Sequence, residues 1–100
     1  MPSVLELPPT DRPRERLRAL GAHALTTAEL LALLLGTGTN GRPTLETAQR
    51  ILSRAGGSLR RIGQLPLATL TALHGLGEAK AMAIHAALEI GRRLAVESAD

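Results

Sequence analysis

Gly75 and Gly77 flank a single leucine in the stretch Leu73-His74-Gly75-Leu76-Gly77-Glu78-Ala79-Lys80-Ala81, directly ahead of an alanine-rich helical pattern. Glycine has no Cβ, so the main chain can turn tightly there and approach another molecule closely. The first N–H groups of the following helix lack intrahelical acceptors and sit at the positive end of the helix dipole. Lys80, the only lysine among twelve basic residues, falls in that helix's first turn. Main-chain donors plus one compact ammonium suit an anion, above all a phosphate. A Gly-x-Gly turn alone is a weak signal, because such glycines also serve merely to permit positive φ.

Arginines supply a second kind of chemistry. Residues 41–65 hold Arg42, Arg50, Arg54, Arg60 and Arg61 against Glu46, five positive charges against one. Residues 1–40 balance four against four, and residues 66–100 carry Lys80, Arg92 and Arg93 against Glu78, Glu89, Glu97 and Asp100. The basic field thus lies beside the glycine turn in sequence, and it supports a polyanion site only if the middle segment folds next to that turn.

Other chemistries fall away. Gly36-Thr37-Gly38 lacks the Lys-Ser/Thr pair of a nucleotide phosphate loop, no strand precedes it, and Pro43 follows. Thr37, Thr39 and Arg42 remain there as a subsidiary backbone-phosphate contact. His23, His74 and His85 have no metal-ligand spacing, and His85 with Glu89 reads as an exposed i, i+4 pair. Cysteine is absent, which excludes a thiolate metal site, a disulfide scaffold and a cysteine nucleophile. Glu6, Asp11 and Glu15 lie on an arm and an exposed helix, so no catalytic constellation assembles and an enzyme is not expected from these residues alone.

The elements that must position these groups are helical. Leucine and alanine dominate, aromatics are absent, and no run alternates like a half-buried strand. With 44% hydrophobic residues in 100, one all-α domain with a packed core is expected, as a compact bundle of five to six short helices. Leu30–Leu35, the longest apolar block, is too short to span a bilayer, and the start has no secretory-signal pattern. A cytoplasmic, membrane-free protein is expected.

Residues 1–11 read as an extended arm, residues 12–97 as the domain and residues 98–100 as a tail. A short helix with Pro13 near its start runs to Leu20, Leu17 and Leu20 turned inward, and Gly21 stops it. Thr26-Thr27-Ala28-Glu29 is a capping box for a buried central helix to Leu35. After a loop through Pro43, Thr44 caps a helix to Ala55, and Gly56-Gly57 ends it. Ser58 starts a short turn that Gly63 breaks, and Leu67–Leu73 leads into the glycine turn. The last helix, Glu78–Val96, offers Ala79, Met82, Ala83, Ala86, Ile90 and Leu94 to the core, flanked by Ile84 and Leu88.

Two segments now match: helix, Gly-x-Gly, helix at about 28–55, and again at about 66–96. The arrangement predicts a tandem helix-hairpin-helix bundle (RuvA domain 2-like) whose first hairpin is degenerate. In that reading Gly75, Leu76, Gly77, Ala79 and Lys80 hold a DNA phosphate, with Arg42, Arg50, Arg54, Arg60 and Arg61 in support. No aromatic platform exists for stacking single strands and no recognition helix stands out, so duplex or branched DNA backbone is the expected target.

Asp11-Arg12-Pro13-Arg14-Glu15-Arg16-Leu17, the block Leu25–Thr39, Gly75–Ala81 and the ending Glu89-Ile90-Gly91-Arg92-Arg93 closely resemble the bacterial RadC proteins (UPF0758) over nearly the whole chain. The resemblance implies a helix-hairpin-helix DNA-binding module and, more loosely, a DNA repair role. It also implies a C-terminal metal-binding domain of the JAMM/MPN type, whose zinc motif is not found in this sequence. No cofactor is expected, although hairpins of this kind can hold a monovalent cation. The competing expectation is a protein-interaction adaptor, or a substrate guide for the absent metallohydrolase domain.

Overall fold

The computed structural model describes residues 12–36, 41–73 and 76–97, with the side chains of 41–43 excepted. Six α-helices and no strand occur among the described residues: α1 (Pro13–Leu20), α2 (Thr27–Leu35), α3 (Gly41–Arg54), α4 (Leu59–Gln64), α5 (Leu67–Thr71) and α6 (Glu78–Val96). The all-α expectation holds.

Local chemistry sets most boundaries. Pro13 occupies the first turn of α1, and Gly21 closes that helix at φ 89°. At the start of α2 the Glu29 N–H donates to Thr26 Oγ1 (3.1 Å), while the Thr26 N–H donates to Glu29 Oε1 (2.8 Å). After α3, Gly56 and Gly57 adopt φ 66° and 84°. The Gly57 N–H reaches Leu52 O (2.7 Å) and the Gly56 N–H reaches Ser53 O (3.1 Å), the Schellman pattern. Ser58 Oγ accepts from the Arg61 N–H and starts α4.

Two boundaries differ from expectation. Helix α3 begins at Gly41 and not after Thr44, because Pro43 falls in its first turn, where a missing N–H costs no bond. Gly63 does not break α4, which runs on to Gln64 and ends ahead of Pro66. A Cβ at Gly63 would lie 3.7 Å from Leu88 Cδ1, so the glycine marks where α4 meets α6.

The core joins Leu31, Ala32 and Leu35 of α2 with Ala48 and Ile51 of α3, Ile62, Leu70, Leu76, Ala81 and Ile84. Helix α2 is central, packed on α1, α3 and α6, yet Leu30 and Leu34 stay exposed on its outer side. Helix α1 buries no residue; Leu17 and Leu20, expected inward, are exposed. Arg16 ties α1 down instead, donating to Ala24 O (3.0 Å) and pairing with Glu29 (2.9 Å).

Helix α6 departs further from expectation. Ala81, Ile84 and Leu88 face the core, while Ala79, Met82, Ala83, Ala86, Ile90 and Leu94 stand on another side, in solvent. Met82 is 48%, Ile90 67% and Leu94 68% exposed. Because α6 is apolar on two faces, periodicity alone does not choose between them. The face turned inward is the one that meets α2, α4 and α5. No helix is long and apolar enough to cross a membrane among the described residues.

Candidate functional site

The N-terminus of α6 is the element on which the phosphate reading depends. Leu76 is buried in the core, and its N–H donates to Leu73 O (3.1 Å). It therefore anchors the turn by packing, and its amide is not a free donor to a phosphate. Gly77 is the N-cap, at φ −80° and ψ 170°, with no side-chain cap on the helix. That conformation is open to any residue, so Gly77 is not there to permit positive φ.

A Cβ added at Gly77 would meet nothing within 4 Å. Its lack of a side chain leaves the helix start uncovered. Among the described residues, the Glu78, Ala79 and Lys80 amides meet no acceptor, and Ala81 N–H is the first to bond back, to Gly77 O at 3.0 Å. Gly77, Glu78 and Ala79 are exposed, and Lys80 is half-buried. Glu78 is the one acid in this turn and complements the helix dipole itself. Gly75 and His74 lie outside the described residues.

Of the supporting arginines, Arg60 is placed away from this turn. Arg60 lines a cleft of about 680 Å³ between α4 and α6 with Leu59, His85, Leu88, Glu89 and Arg92. Leu88 stands ten residues past the start of α6, about 15 Å along the axis at the usual rise. Arg61 folds back on the α3–α4 turn, its guanidinium 3.2 Å from where a Gly56 Cβ would sit. Arg50 and Arg54 are exposed on α3, which packs on α2 and α4. The side chain of Arg42, and Thr37 and Thr39, lie outside the described residues.

Sequence reasoning missed a second polar centre at the far end of α6. Arg92 holds Glu89 by two hydrogen bonds (3.0 and 2.8 Å), and Arg93 Nε adds a third at 2.9 Å. These bonds lower the Glu89 carboxyl from 4.5 to about 2 and raise the Arg92 guanidinium. Their i, i+3 and i, i+4 spacing was the available signal. The expected His85–Glu89 pair is thereby displaced, because the carboxylate is taken. His85 is half-buried and its Nε2 has no hydrogen-bond partner among the described residues.

Comparison with known proteins gives one consistent result. The family model "UPF0758 N-terminal" matches residues 4–82. A UPF0758 protein of Chloroflexus aurantiacus is 53% identical over 92 residues, covering 92% of this chain and 40% of its own length. One from Syntrophomonas wolfei is 50% identical, covering 92% of this chain and 39% of the relative. One from Porphyromonas gingivalis is 41% identical, with 92% and 41% covered. The chain thus spans about two fifths of the length of the curated relatives it matches. No solved structure matches. On this likeness in sequence, the chain belongs to the UPF0758 family.

Proposed function

We propose that the domain binds the phosphate backbone of duplex or branched DNA, without reading sequence, through the open start of α6. The observation that carries the reading is Gly77. It is a helix N-cap with ordinary backbone angles, open space above it and no side chain on the donors behind it. A phosphate oxygen placed there meets main-chain N–H groups and the positive end of a 19-residue helix, with the Lys80 ammonium one turn in. In this reading Gly75, Gly77, Ala79 and Lys80 hold the phosphate, and Leu76 anchors the segment by packing. Arg42, Arg50, Arg54, Arg60 and Arg61 act as a long-range field and not as contacts to the same phosphate.

With few phosphates engaged, affinity is on the order of 10⁻⁴ to 10⁻⁶ M at physiological salt, with a log–log salt slope of about −1 to −2. A repair role in a RadC-like protein follows only if such binding is found. The test is Gly77→Asp, whose carboxylate caps the α6 amides and repels phosphate. Duplex binding is expected to disappear while the thermal midpoint holds or rises slightly. Undiminished binding by that variant, or binding that ignores salt, would falsify the proposal.

A second reading, a protein-interaction module or guide for the family's C-terminal domain, draws support from exposed leucines. Leu31 is buried but Leu34 is 46% exposed, so only half of the α2 ridge is offered to a partner.

A further inference from the structure

We infer that α6 pairs with α6 of a second copy of this chain, antiparallel and about a twofold axis, through the exposed stripe Ala79, Met82, Ala83, Ala86, Ile90 and Leu94. The stripe runs from the first turn of α6 to its last, about 22 Å at the usual rise. It leaves three bulky apolar side chains about half or more in water. An isolated exposed leucine needs no explanation, but a continuous apolar ridge on one helix marks a contact surface.

The distribution of size along the stripe selects the occupant and its direction. Alanines 79, 83 and 86 lie in the N-terminal half, with Met82 as its one bulky member, and Ile90 and Leu94 in the C-terminal half. An antiparallel copy sets each bulky pair onto the other helix's alanines, which lets the axes approach closely. A parallel copy would stack large on large and leave a gap at the alanines.

Charge agrees. Glu78 flanks the stripe at one end and Arg93, whose Nε also holds Glu89, at the other, so antiparallel pairing brings each glutamate beside an arginine of the second copy. The parallel alternative sets Glu78 against Glu78. A single helix pair buries less than a standard interface, so association is weak.

Sedimentation equilibrium of the full chain from about 10 μM to about 1 mM reads the result directly. A monomer–dimer equilibrium is expected, weakened more than roughly tenfold by Ile90→Glu with helicity and thermal midpoint unchanged. Direction is read by oxidative cross-linking, which the cysteine-free chain makes unambiguous. Mixed Ala83→Cys and Ile90→Cys chains should give a mixed product faster than either gives alone. A monomer at every concentration overturns the inference and leaves the stripe to another occupant, such as the rest of the family's chain. Larger assemblies, a dimer indifferent to Ile90→Glu, or preferential same-site linkage overturn it as well. None of these outcomes depends on DNA binding.

Discussion

At the start of α2, the Thr26 hydroxyl and the Glu29 carboxylate close a reciprocal pair of bonds over the helix end, and Arg16 settles on the remaining carboxylate oxygen. At the start of α6, Gly77 brings no side chain, and Glu78, exposed in the first turn, does not cap the helix. Both helices rest on the same core. An unsatisfied helix end in this domain is thus a local choice of residue and not a general looseness of its helices. Where satisfaction was available by one Thr, the chain has it; at α6 it has glycine.

The comparison breaks most severely if its common support is removed. Ile84 is fully buried, and Ile84→Ala should cost about 2–5 kcal/mol, read as a lowered denaturant midpoint, and should abolish any DNA binding by loss of the fold. Thr26→Ala opens α2 and should cost about 1 kcal/mol, with duplex affinity unchanged. A fall in affinity from that substitution would mean the α2 end takes part in binding. Lys80→Glu should leave thermal stability near the native value and lower duplex affinity, with a shallower salt slope. An unchanged slope would remove the ammonium from the phosphate site.

The smallest effect concerns the opposite end of α6. Glu89 is held near 2 by its arginine partners, against 4.5 ordinarily. A depressed carboxyl contributes stability that is present above the unfolded value and is lost as pH falls through the folded one. The native chain should therefore lose stability relative to Glu89→Gln between about pH 5 and pH 2, and only slightly, because the group is exposed and salt screens it. Parallel melting curves for the two chains across that window would contradict the assignment.

Sequence made the helix ends legible wherever one residue type has one job. Gly21, the Thr26–Glu29 box, the Gly56-Gly57 stop and the Ser58 cap all act as their chemistry requires. Rotation about a helix axis was not legible. In α6, apolar residues at 81, 84 and 88 and those at 79, 83, 86, 90 and 94 each make a helical stripe, and only the neighbours decide which is buried. Gly63 misled because glycine serves both breaks and close approach. Of the site, the open helix start was visible in Gly77, whereas the separation of Arg60 from it depends on where α4 lands along α6. The internal use of the Leu76 amide depends on the turn's own folding.

Helix α1 has no buried residue, and its Arg16 guanidinium reaches Ala24 and Glu29. An attachment of that kind is an ionic latch, weakened by added salt while the oily interior is strengthened or untouched. Raising ionic strength should thus loosen the first helix slightly, the pair being partly buried, before it affects the other five. Hydrogen exchange at residues 16–20 would then quicken on its own, so the molecule has a releasable edge set by Glu29.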